Sequence, residues 1–136
     1  MLRFIFASHY KMASGLKDTI FFLTSTEEKL YDISAYTTPD YDLEKEVKDL
    51  FDTFEENDTV IIMTDVMAGS VNQKFYPYLS DKVHLISGIK APLAMQLVLM
   101  PEEWFSKENV ESTIQEAKDT IVYINSWQAE QADDDE

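Results

Sequence analysis

The sequence predicts a doubly wound α/β fold, with a mainly parallel four- to five-stranded sheet and helices on both faces. Three observations carry that prediction. Strand-like and helix-like segments alternate along the 136 residues. The connections between them are short. One run, Thr59-Val60-Ile61-Ile62-Met63-Thr64, is β-branched and apolar without alternation, which suits a parallel strand covered on both faces. Strand twist makes the crossovers right-handed. Ligands of such sheets sit beyond the carboxyl ends of the strands, where the strand order switches direction.

Each element has its own signal. Leu2 to Ala7 is a short, mostly apolar strand ending at Ser8-His9. Met12 to Leu23 reads as a helix with Leu16, Ile20 and Leu23 on one face. Leu30 to Ile33 is a second strand, and Pro39-Asp40-Tyr41-Asp42 makes a turn that offers an N-cap. In the helix Leu43 to Phe54, Leu43, Val47, Leu50, Phe51 and Phe54 form one apolar stripe, and Asn57-Asp58 ends it. The strand 59–64 carries Asp65 at its carboxyl end. Ala68-Gly69-Ser70 is a tight strand-to-helix turn. Val71, Phe75, Tyr78 and Leu79 are the buried face of the next helix, which Pro77 should kink or shorten. Lys82 to Ser87 is a fourth strand, and Pro92 suits the first turn of the helix after Gly88. Ser106 can cap a last helix whose face is Val110, Ile114, Ala117, Ile121 and Ile124. Residues 1–128 read as one domain, followed by an acidic, disordered tail over 129–136.

Composition removes several function classes. The chain has 26 acidic against 11 basic residues, a formal charge of -15. Such a charge repels phosphate backbones and anionic headgroups, so no nucleic-acid partner is expected. There is no cysteine, which excludes disulfides, thiolate metal sites and cysteine nucleophiles. With 2 histidines, a multi-histidine metal site is not expected. Leu2 to Ala7 is too short for a signal peptide, and the longest uncharged apolar stretch, Ala91 to Met100, is far below the roughly 20 residues of a spanning helix. A soluble, cytoplasmic protein is the expectation.

His9 and Asp65 fall at the tips of the first and third strands, on one edge of the sheet. Should those strands be neighbours, the carboxylate can accept from one imidazole nitrogen and leave the other as a lone-pair nucleophile. Ser70, with backbone N–H groups near residues 69–71, lies at a helix start that favours an anion. Imidazole, orienting carboxylate, hydroxyl and helix start together describe a phosphohistidine site. Taken singly, each of these residues is as readily a surface or capping group. Neither a G-x-x-x-x-G-K-S/T loop nor a G-x-G-x-x-G fingerprint is present, so the phosphoryl group would come from another protein rather than a bound nucleotide. His84, mid-strand, reads as a buried or edge histidine. Met63, Met95 and Met100 read as core filler, and Trp104 and Trp127 as core, surface anchor or partner contact.

Three segments together resemble the A component (enzyme IIA) of the mannose/fructose/sorbose class of the bacterial phosphoenolpyruvate-dependent sugar phosphotransferase system. They are Ala7-Ser8-His9-Tyr10-Lys11-Met12-Ala13-Ser14-Gly15-Leu16, Asp65-Val66-Met67-Ala68-Gly69-Ser70-Val71-Asn72 and Ser87-Gly88-Ile89-Lys90-Ala91-Pro92-Leu93. Spacing and order agree over roughly the first 120 residues. The sequence departs from the family pattern where Tyr10 replaces a Gly, Ala68 a Gly, Val71 a Pro and Lys90 an Asn.

The resemblance implies a phosphotransferase component. His9 would accept a phosphoryl group from the histidine-containing phosphocarrier protein and pass it to the B component (IIB), which serves the membrane C and D components (IIC and IID). Asp65 would orient His9, and Ser70, with Gly69 and Val71, would bind the phosphoryl group. Neither metal nor cofactor is implied, and a homodimer is. Two further roles fit the same residues: a regulatory phospho-sensing module, and the phosphotransfer subunit of a dihydroxyacetone kinase. An unphosphorylated binding domain is the plainest alternative. Ile121 to Trp127 is apolar enough for an interface or for packing within the chain.

Overall fold

The structure, a computed structural model, describes residues 1–67 and 69–128, so the acidic tail assigned to 129–136 lies outside the described residues. Four strands, β1 (Leu2–His9), β2 (Leu30–Ala35), β3 (Thr59–Thr64) and β4 (Val83–Ser87), form a wholly parallel sheet in the order β2-β1-β3-β4. The predicted doubly wound architecture is present, with four strands among the described residues.

Alternation along β1 builds two cores. Phe4 and Phe6 point to one face, where they meet α1 (Met12–Thr24), α4 (Ala91–Leu99) and α5 (Lys107–Lys118) through Ala13, Ile20, Leu93, Leu97 and Ala117. Ile5 and Ala7 point to the other, against α2 (Leu43–Phe51) and α3 (Ser70–Lys74) through Val47, Val71 and Phe75. Burial of each large side chain contributes about 1.5–3 kcal/mol. Ile61 and Met63 of β3 face the first core and Val60 and Ile62 the second. The unalternating apolar run is thereby explained. At the opposite edge of the sheet, the Arg3 guanidinium binds Asp58 and the Tyr31 hydroxyl, and Asp58 also accepts from the Glu55 N–H at 2.8 Å. Burial would raise the Asp58 carboxyl, but these hydrogen bonds and the Arg3 charge outweigh it and hold it below its ordinary range.

Several boundaries differ from the sequence reading. β1 includes His9, and β2 runs to Ala35 rather than Ile33. Leu23 is exposed, because the apolar face of α1 rotates away from it. α2 starts where predicted, with the Asp42 side chain accepting from the Lys45 N–H at 3.2 Å, but its helical residues end at Phe51. Phe54 still packs on the core from the turn that follows. Pro77 does shorten its helix. α3 stops at Lys74, a 3-10 turn covers Tyr76–Tyr78, and Leu79 is exposed rather than part of a buried face. β4 begins at Val83.

Ser106 caps α5 by accepting from the Asn109 N–H at 3.1 Å. The helix ends at Lys118, so Ile121 and Ile124 do not continue its face. Ile121 is 79% exposed, and Tyr123 and Trp127 are also exposed. The apolar side chains of 121–127 are exposed on this chain. Met63 is core, Met95 and Met100 pack at its edge, and Trp104 is exposed. His84 sits on the edge strand β4 against Phe105, ring centroids 5.3 Å apart.

Candidate functional site

The chain leaves β1 toward β2 on one side and returns to β3 on the other. The carboxyl ends of β1 and β3 therefore flank the switch in strand order. Ala7 is in register with Thr64, which brings the last residue of β1, His9, beside the first residue after β3, Asp65. Asp65 Oδ2 accepts both the His9 backbone N–H and the imidazole Nδ1, each at 2.8 Å, and Oδ1 accepts the Val66 N–H at 3.0 Å. The predicted pair is brought together. The His9 side chain is 41% exposed and that of Asp65 13%, so the ring is open and its anchor is covered. Burial would raise the Asp65 carboxyl. The His9 N–H and imidazole, with the Val66 N–H, more than reverse this and hold it below its ordinary range.

With Nδ1 on the carboxylate, Nε2 is the outward nitrogen. Asp65 fixes the tautomer with hydrogen on Nδ1 and leaves the Nε2 lone pair for a nucleophilic role. The other wall of the site is Gly69. A Cβ built there would lie 2.9 Å from His9 Cε1 and 2.8 Å from Val66 Cγ2. Its φ of -77° is open to any residue, so glycine is required there by space alone. Ser70 follows it as the exposed first residue of α3. The N–H groups of Ser70 and Val71 lie ahead of the bond from Gln73 N–H to Gly69 O, while the Val71 side chain is wholly buried. A groove of about 680 Å3 between α2 and α3 opens at Ser70 and is lined further by Glu44, Lys48 and Lys74.

Two features carried no assigned role in the sequence reading. Asn72 is buried and ties the turn down. Its Oδ1 accepts from Thr64 Oγ1 at 2.6 Å, and its Nδ2 donates to Met67 O at 2.9 Å. Tyr36, just beyond β2, places its ring centroid 5.7 Å from that of His9, and its hydroxyl lies 2.7 Å from Ser70 Oγ. The edge-of-sheet rule that selected His9 and Asp65 would have selected Tyr36 had β2 been extended two residues.

The departures from the family pattern have structural consequences. Tyr10 occupies a left-handed conformation, φ +60°, and is 58% exposed. A side chain there costs about 1–2 kcal/mol relative to an ordinary conformation. Tyr10→Gly is therefore expected to raise the unfolding free energy by about 1 kcal/mol in chemical denaturation. Lys90 donates to Ala117 O at 2.8 Å and Thr120 Oγ1 at 2.6 Å, closing the end of α5.

Comparison with known proteins agrees with this fold. The sequence matches the family model described as PTS system fructose IIA component over residues 3–118. A crystal structure from Klebsiella pneumoniae, described as a phosphoenolpyruvate-dependent sugar phosphotransferase system permease, is 32% identical, with a TM-score of 0.84 over 91% of each chain. A PTS IIA protein associated with a fucose utilization operon in Streptococcus pneumoniae is 23% identical, with a TM-score of 0.77 over 93% of this chain and 96% of that one. A mannose/sorbose specific IIA subunit from Enterococcus faecalis is 12% identical, with a TM-score of 0.71 over 88% and 92%. The last two show likeness in fold. No curated protein matches the sequence. Among the described residues, no helix is long and apolar enough to cross a membrane.

Proposed function

The chain belongs to the IIA component family of the sugar phosphotransferase system, and from that premise we propose that His9 is its phosphoryl-accepting nucleophile. The donor is the histidine-containing phosphocarrier protein, and the acceptor is a IIB component that serves IIC and IID. The observation that carries this reading is the 2.8 Å contact between His9 Nδ1 and Asp65 Oδ2 beside an open imidazole.

The Nε2 lone pair of His9 attacks phosphorus in line. The new N–P bond forms as the N–P bond to the donor imidazole breaks, and the donor ring leaves with that electron pair. Asp65 holds the ring and stabilises the positive charge that grows on it. Ser70, with the N–H groups of Ser70 and Val71, meets the charge on the phosphoryl oxygens. Chemistry of this kind needs no resident metal, because the donor phosphohistidine is already reactive. It does need exposure, since two proteins must reach the same nitrogen in turn. His9 lies at the open edge of the sheet, with exposed Tyr10, Tyr36 and Met67 around the strand ends. A homodimer belongs to the same reading, and would cover the exposed Ile121, Tyr123 and Trp127.

Incubation with phosphoenolpyruvate, enzyme I and the phosphocarrier is expected to add an acid-labile phosphoryl group, roughly +80 Da. The His9→Ala protein should gain none. Labelling of that variant to the wild-type level would remove His9 from the reaction.

A further inference from the structure

Tyr36 has no assigned role, yet it spans the site. Its backbone is left-handed, φ +66°, although it is not glycine. Its N-terminal neighbour Ala35 accepts the Tyr10 N–H at 2.7 Å, so the left-handed turns after β1 and β2 are locked together. The ring lies beside the imidazole, tilted 38° from it, and packs edge-on to Tyr41 at 5.9 Å. The hydroxyl reaches 34 positions along the chain to Ser70 Oγ. A strained, half-exposed tyrosine that touches both the nucleophile and the hydroxyl next to it is held there by its surroundings, the situation typical of functional positions.

We infer that Tyr36 is a positioning residue for phosphoryl transfer, acting through Ser70. This rests on His9 being the phosphoryl acceptor. In the free protein the two hydroxyls satisfy one another, with the proton on either oxygen. When the phosphoryl group arrives, the Tyr36 O–H donates to Ser70 Oγ, and the Ser70 O–H turns to a phosphoryl oxygen. A hydroxyl that receives a hydrogen bond is a better donor, so the pair works as one relay. The ring supplies a wall beside the imidazole that leaves Nε2 open.

The test is a double-mutant cycle on Tyr36→Phe and Ser70→Ala. Phosphoramidate serves as the phosphoryl donor alongside the phosphocarrier, because it phosphorylates imidazoles without a protein partner. Tyr36→Phe keeps ring and backbone, and its thermal midpoint should equal that of the wild type. Its His9 phosphorylation is expected to be about 3- to 10-fold slower with either donor, the loss of one hydrogen bond. Ser70→Ala should be roughly 10- to 100-fold slower. The double variant should be no slower than Ser70→Ala alone. A Tyr36→Phe rate equal to wild type, or a double variant slower by the product of the two effects, would overturn the inference and leave His9 as acceptor. A wild-type protein that phosphoramidate labels on His9 and the phosphocarrier does not would contradict the proposed donor, while the cycle still decides the role of Tyr36. Absence of label on His9 from both donors would overturn both.

Discussion

Replacing Asp65 by Asn is expected to slow phosphorylation of His9 by roughly 100-fold or more, the scale seen when an orienting carboxylate is lost beside a reactive imidazole. Three donors converge on its two oxygens: the His9 N–H and Nδ1 on Oδ2, and the Val66 N–H on Oδ1. An amide cannot accept on both sides. It must turn its NH2 either toward the Val66 N–H or toward the His9 N–H and Nδ1 together. The second choice places the ring hydrogen on Nε2 and blocks the nucleophile. The variant should also be less stable by about 1–3 kcal/mol, the cost of an unsatisfied covered polar group. Because the Asp65 carboxyl is held below its unfolded value, its contribution is complete above the unfolded pKa and is lost as pH falls through the lower folded value. The stability gap between wild type and Asp65→Asn should accordingly be constant at neutral pH and narrow only in strong acid, as read by denaturation at several pH values.

Gly69→Ala is expected to have the second largest effect. The added methyl would stand 2.9 Å from His9 Cε1 and 2.8 Å from Val66 Cγ2. Both contacts are too close to stand, and the imidazole is the group whose position the chemistry needs. A displacement near 1 Å at a reacting centre costs about 100-fold. Transfer to His9 should fall by roughly 10- to 100-fold. The unfolding free energy should change by about 1–3 kcal/mol, as in other overpacked sites. A rate equal to wild type in single-turnover labelling would show that the wall at 69 yields without disturbing the ring.

The parts of the fold that were legible are those whose pattern depends on burial. Ile61, Ile62 and Met63 read as a doubly covered strand because both sheet faces carry a helix layer. Leu43 and Val47 announced a helix because that stripe faces one core. Asp65 and His9 followed from strand-tip position once the strands were placed. What was not legible was where packing stops. Ile121 and Ile124 share a helical period with Ala117, but period alone cannot say that α5 ends at Lys118, where Lys90 Nζ donates to the Ala117 carbonyl. Phe54 keeps its place in the core from outside the helix. Tyr36 was hidden for another reason. A left-handed aromatic residue is unfavourable locally, so no local rule proposes it, and the strand end and its hydrogen bond across the site accompany it there.

The identity of the phosphorylated nitrogen decides the central claim, that Asp65 holds His9 so that its outer nitrogen does the chemistry. Phosphorus–nitrogen correlation in the phosphorylated protein, with nitrogen-15 in the histidine rings, reads it directly. The phosphoryl group is expected on Nε2 of His9, with Nδ1 still protonated toward Asp65. Phosphorus on Nδ1 of His9, or on His84, would contradict the account.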